Sequence, residues 1–242
     1  MLRTIRLAFV FLTRLPLPGR ADYQEGDFPK SFLYFPLVGL SLGLFLAGLA
    51  WAFIWVGVDD RVSAFILIFT IVMVTGGLHL DGLADMVDGF FCGKGTDDML
   101  RIMREPSAGP FGMTAIFLVL IGKFAALWHI LEFGNIANII PVFAMSRWGM
   151  AFASFEAVYP RPAGAGKAFI GKVSPLTLIY SLVFALLVTF YFARKQLVVF
   201  FVVTFFITYA VRHISDAKIG GVTGDVLGAI NEVLETTLLL AI

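Results

Sequence analysis

Charge is scarce in this chain. Asp, Glu, Lys and Arg make up 14% of its 242 residues, against about a quarter in soluble domains, which argues against a water-soluble globule. Cysteine is nearly absent. Cys92 alone excludes an internal disulfide framework and cannot anchor a thiolate metal cluster. Basic excess is missing as well: the net charge is +1, with no basic stripe or stacking motif, so nothing points to nucleic acid. No Ser/His/Asp or Cys/His arrangement stands out, which speaks against nucleophilic acyl chemistry. No cleavable leader is predicted either. Arg3 and Arg6 precede a short apolar run, Leu7 to Leu12, that ends in Thr13-Arg14 without a small-residue cleavage site.

Apolar residues fill the space that charge leaves. They account for 59% of the chain, with 26 Phe and a mean hydropathy of +0.90. The expected fold is an all-α polytopic membrane protein, a single integral membrane domain over residues 1–242. It has about seven transmembrane helices and an N-terminal interfacial helix. Apolar runs place spans at 31–58, 62–80, about 110–131, 136–155, 173–193, 196–211 and 225–242. Residues 212–224 read as a polar, Gly-rich connection, and Pro106 as the stop of a short helix capped by Asp97. With the N-terminus inside, thirteen of the 18 Lys and Arg fall on cytoplasmic segments and three on outside turns. Lys123 and Arg147 lie within spans. This asymmetry favours a cytoplasmic N-terminus, and every acid-rich or Gly-rich segment then faces the cytoplasm.

The most informative stretch is GGLHLDGLADMVDG, Gly76 to Gly89. Asp81, Asp85 and Asp88 are spaced four and three apart, so on a helix all three point one way. Neighbours sit roughly 6 Å apart, which costs about 3 kcal/mol per ionised pair at an effective dielectric near 20. A helix does not carry such a face for stability. Small and apolar residues between the acids leave room for a cation, and all-oxygen ligation suits Mg²⁺ or Mn²⁺ rather than Zn²⁺. The alternative is a solvated helix start, where carboxylates suit the macrodipole. His79, one turn away, reads as a structural hydrogen-bonding group.

A second acidic segment, GGVTGDVLGAINE, Gly220 to Glu232, aligns without a gap on residues 76–88. Asp225 falls on Asp81 and Glu232 on Asp88, which suggests a parallel internal repeat with Asp225 and Glu232 as further metal ligands. Chance similarity of two Gly-rich turns is the alternative. Arg101, Arg104, Arg147, Arg161, Lys167 and Arg212 are candidates for binding phosphate. Arg147 stands out because a charge inside a span is costly and usually functional.

The runs FLTRLPLP, FPLVGLSLG, GGLHLDGLADMVDG, IMREPSAGPFG, the SRW around Arg147 and GGVTGDVLGAINE occur in order over nearly the whole chain. In these the sequence resembles the adenosylcobinamide-GDP ribazoletransferase (cobalamin synthase) family. The resemblance implies a Mg²⁺-dependent enzyme of the bacterial cytoplasmic membrane whose active site faces the cytoplasm. Its substrates would be adenosylcobinamide-GDP and α-ribazole or its 5′-phosphate, with GMP released. It assigns Asp81, Asp85 and Asp88 to the family's acidic motif. Self-association, or association with other cobalamin-assembly enzymes, stays open. One departure is visible: the family more often reads Asp-Ser-Arg after the methionine, whereas this chain reads Glu105-Pro106-Ser107-Ala108, leaving Arg101 and Arg104 as the nearby cations. Asp85-x-x-Asp88-Gly89 also resembles half the acidic signature of CDP-alcohol phosphotransferases. A cation- or proton-coupled transporter is a further alternative, in which the acids would lie near the bilayer midplane.

Overall fold

The computed structural model describes residues 2–17, 23–24 and 26–242. Among them there is no strand. The eleven α-helices are α1 (Leu2–Leu12), α2 (Asp27–Ser31), α3 (Phe35–Val56), α4 (Asp60–Thr75), α5 (Leu78–Phe91), α6 (Thr96–Ile102), α7 (Pro110–Phe133), α8 (Ile139–Ser154), α9 (Pro175–Phe192), α10 (Leu197–Ile219) and α11 (Gly224–Leu240). Prolines open α3, α7 and α9 in the first turn, where the missing N–H costs nothing.

Two helices form the centre. Every residue of α8 except Phe152 is buried, and twelve of the seventeen in α11 are. Helix α3 reaches α8 at backbone distance through Gly39 and Gly43. A Cβ on Gly39 would lie 2.1 Å from the Phe143 carbonyl oxygen, and one on Gly43 2.6 Å from that of Ile140. Small residues four apart at a helix interface are how apolar helices pack where no hydrophobic drive separates protein from lipid. Helices α9 and α10 lie outside, with Tyr180, Leu187, Val198 and Phe206 exposed.

Five helical segments are long and apolar enough to cross a membrane, or six if a sharply bent pair is one span. Seven were expected, and the difference has two sources. The second expected span breaks at Gly76-Gly77, both left-handed (φ 65° and 69°), a conformation only glycine adopts without strain. Helix α5 therefore leaves α4 at 87°. Arg14 holds the break from the side, its backbone N–H donating to the Val74 carbonyl at 2.7 Å. The last expected span, α11, is short, carries three acids and is enclosed by protein. Two loop readings also change. Helix α10 runs on to Ile219 through the expected connection, and α6 starts after Gly95 with no side-chain cap from Asp97. The N-terminal helix α1 is present and tied down by an Arg3–Asp27 ion pair at 2.7 Å. Pro18 and Gly19, which follow it in the sequence, lie outside the described residues.

Candidate active site

The 87° break sends α5 across the start of α11, and two glycines let the backbones touch. A Cβ on Gly82 would sit 2.9 Å from the Asp225 carbonyl oxygen, and one on Gly228 would sit 3.2 Å from the Cα of His79. Asp81 and Asp85 flank Gly82, so this crossing carries them to Asp225 in the first turn of α11. Asp85 lies within electrostatic reach of Asp225, Asp81, Arg161 and Asp88. Arg161 donates to Asp225 Oδ2 at 2.9 Å, and the Thr223 hydroxyl donates to the same oxygen at 3.2 Å while its Oγ caps α11. Among the described residues, neither Asp81 nor Asp85 has a hydrogen bond or ion pair at its carboxylate. The site thus holds three carboxylates against one guanidinium, an excess of negative charge.

Asp88 does something different. Its Oδ2 accepts from the Gly109 N–H at 2.6 Å and its Oδ1 from that of Gly112 at 2.9 Å. It therefore caps α7 from another helix and satisfies the orphan donors of that N-terminus. The glycines leave no room for anything else: a Cβ on Gly112 would lie 2.3 Å from the carboxylate.

The expected basic residues divide. Arg101 bonds Asp98 at 3.0 Å and Glu105 at 2.7 Å on the exposed face of α6. The hydrogen bond from Asp98 and the two negative charges hold its pKa above the usual arginine value. Arg104 donates to the Ala163 carbonyl at 3.2 Å, and Arg161 reaches back to that of Met103 at 3.4 Å. Together these three line a cleft of about 590 Å³ between α6 and the 160–162 turn. Lys167 is exposed and donates to the Pro162 carbonyl. Arg212 donates to the Phe155 carbonyl at the end of α8.

Arg147 and Glu232 belong elsewhere. Arg147 is wholly buried and pairs with Glu235, while Glu232 accepts from Lys123 at 2.8 Å; Lys123 also pairs with Glu235. Glu232 is seven residues beyond Asp225, about 10 Å along the helix axis, and faces this ionic core rather than the acids of α5. Two cations and two anions neutralise one another among α7, α8 and α11. Asn231 extends the network, its amide donating to Glu235 at 3.0 Å and approaching His79 Nδ1 at 3.2 Å. His79 thus has the structural hydrogen bond expected of it. The Lys123–Glu235 pair answers the lysine within an apolar span, a charge that requires a buried acid.

The residues fit a divalent cation in donor chemistry. Asp81 and Asp85 offer unengaged hard oxygens, with Asp225 adjacent. Among the described residues, however, no three His, Cys, Asp or Glu side chains are gathered closely enough to hold a metal ion. Asp88 and Glu232 are engaged with protein partners.

The model of the cobalamin-5-phosphate synthase family matches residues 4–242. The chain belongs to the cobalamin-5-phosphate synthase family. Among similar proteins of this family is an adenosylcobinamide-GDP ribazoletransferase of Prosthecochloris aestuarii, 34% identical across 97% of this chain and 95% of its own. Proteins of the same name from Clostridioides difficile (32% identical; 98% and 95% covered) and Escherichia coli (33%; 96% and 96%) are also similar. No solved structure matches the chain. The acidic crossing of α5 and α11 is therefore carried by a member of a family of cobalamin-synthesising enzymes.

Proposed function

We propose that this chain transfers the adenosylcobinamide-phosphate group of adenosylcobinamide-GDP to α-ribazole or its 5′-phosphate at the bacterial cytoplasmic membrane, with its site towards the cytoplasm. A ribose hydroxyl oxygen attacks the phosphorus that bears the corrinoid. A new O–P bond forms, the bridging P–O bond to GMP breaks, its electron pair leaves on GMP, and the hydroxyl proton passes to a carboxylate. The observation that carries this reading is the pair of free carboxylates, Asp81 and Asp85, set beside the Arg161–Asp225 pair by the Gly82–Gly228 crossing.

In this reading Arg161 neutralises charge on the diphosphate, and Asp225 holds Arg161 in position. Asp81 or Asp85 receives the hydroxyl proton. Mg²⁺, with Mn²⁺ as a substitute, would be held by Asp81 and Asp85 together with phosphate oxygens of the substrate and would screen the charge that builds on the leaving nucleotide. Asp88 keeps α5 and α7 in register, and Arg147 and Glu232 hold α11 from within. The test is purified protein in detergent with adenosylcobinamide-GDP and α-ribazole. One GMP released per corrinoid product, and none without the nucleoside, supports the reading; release that is independent of the nucleoside overturns it.

A further inference from the structure

Displacement at phosphorus needs the attacking and leaving oxygens roughly in line, so a transferase of this kind requires two subsites on opposite sides of one atom. Two cavities are each lined by one member of the Arg161–Asp225 pair. One, of about 180 Å³, is lined by Asp81 and Asp225 of the acidic crossing together with Phe11, Met150 and Phe169. The other is the larger cleft lined by Arg101, Arg104, Arg161, Asp97 and Glu105. Asp225 lines the first, Arg161 the second, and the two side chains are ion-paired at 2.9 Å. That pair links the linings of the two cavities.

We infer that the acceptor nucleoside enters the apolar cavity and the guanosine nucleotide occupies the arginine cleft, so that the reacting phosphorus lies at the Arg161–Asp225 pair. This assignment rests on the transferase reading proposed above. The chemistry of the linings sets the direction. A leaving nucleotide carries phosphate charge, which guanidinium groups neutralise, and guanine presents two N–H donors on one edge, which a carboxylate such as Asp97 or Glu105 accepts. A flat aromatic base suits the Phe11, Met150 and Phe169 wall, with its ribose turned to Asp81 and Asp225.

Two unmatched donors support the arrangement. Arg161 Nε is buried without a partner, and Arg161 lines the arginine cleft. His79 lines the apolar cavity, and its Nε2 is buried without a partner. The amide nitrogen of Asn231 faces both Glu235 and His79 Nδ1, because its oxygen would be repelled by the carboxylate. His79 Nδ1 therefore accepts, and the proton resides on Nε2. The ring nitrogen of a benzimidazole-type base is an acceptor of the kind such a donor needs.

The test uses two exposed positions, so that neither variant endangers the fold. Arg104→Ala removes a cation from the cleft, and Ala165→Leu places a larger side chain at the edge of the apolar cavity, which Ala165 lines. Arg104→Ala should raise both the KM for adenosylcobinamide-GDP and the inhibition constant of added GMP by about tenfold, as the loss of one charge-assisted hydrogen bond implies. The KM for α-ribazole should stay within about twofold. Ala165→Leu should give the converse: about tenfold in the KM for α-ribazole, with GMP inhibition unchanged. Crossed effects, equal effects on both constants, or no effect from either variant would overturn the subsite assignment. Wild-type protein that releases no GMP would instead overturn the transferase reading itself, so the two failures are distinguishable.

Discussion

Replacing Lys123 by Met tests whether Glu232 belongs to the ionic core or to the metal site. The Lys123 ammonium is enclosed between Glu232 and Glu235. In Lys123→Met, Glu235 keeps Arg147, but Glu232 is left buried with no counter-ion. Breaking a buried pair from one side costs about 3–5 kcal/mol. At about 2–4 °C per kcal/mol for a chain of this size, the melting temperature in detergent should fall by about 10 °C. Adding Glu232→Gln removes the stranded charge, so the double variant should melt well above Lys123→Met and recover at least half of the loss. Neither variant should change the stabilisation that Mg²⁺ confers, because Glu232 is two helical turns from Asp225. The assay is a set of thermal melts with and without Mg²⁺ for wild type, both single variants and the double variant. A fall of less than about 3 °C in Lys123→Met, or a double variant no more stable than Lys123→Met, would refute the pairing. Loss of the Mg²⁺ shift in Glu232→Gln alone would return Glu232 to the metal site.

Other outcomes follow from single contacts. Gly82→Val should push α5 from α11 at a cost of about 1–3 kcal/mol and abolish GMP release. Gly48→Ala, with nothing within 4 Å of its added methyl, should be neutral or stabilise by up to about 1 kcal/mol; melts and turnover of both check this. Asp88→Ala should lower stability by about 1–2 kcal/mol through the lost cap on α7, measurable by thermal denaturation at saturating Mg²⁺. Arg101→Ala should leave the melting temperature nearly unchanged, since both of its pairs are exposed and screened by solvent. A reporter inserted beside Lys94 should lie in the cytoplasm, and a periplasmic signal there would overturn the loop orientation.

Much of the site was legible because it is local. Asp81, Asp85 and Asp88 share one helix, and their spacing alone sets a common face. The stretch from Gly220 to Glu232 contains Gly228, which with Gly82 lets α11 and α5 meet. Partners far along the chain were not legible. Asp88 finds its donors 21 and 24 residues away, at a helix start that only the tertiary fold brings near. Glu232 and Lys123 are 109 residues apart, and the shared helix face of Asp225 and Glu232 does not reveal that each meets a different partner. Hydropathy also misplaced the ends of helices. It joined α4 to α5, because Gly76-Gly77 is compatible with an apolar run whichever direction the chain then takes. It ended α10 at Val211, because polar residues continue a helix perfectly well once it leaves the apolar layer.

The most direct test of the central claim is GMP release by Asp85→Asn, a variant that keeps the side-chain shape and loses a charge that no protein group pairs with. Without Mg²⁺ it should melt at or above the wild-type temperature because repulsion with Asp225 and Asp81 is relieved, and its turnover is measured at matched folding with saturating Mg²⁺, adenosylcobinamide-GDP and α-ribazole. It should also release GMP at least about a thousandfold more slowly. Turnover within about tenfold of wild type would show that the acidic crossing of α5 and α11 is not where the chemistry takes place.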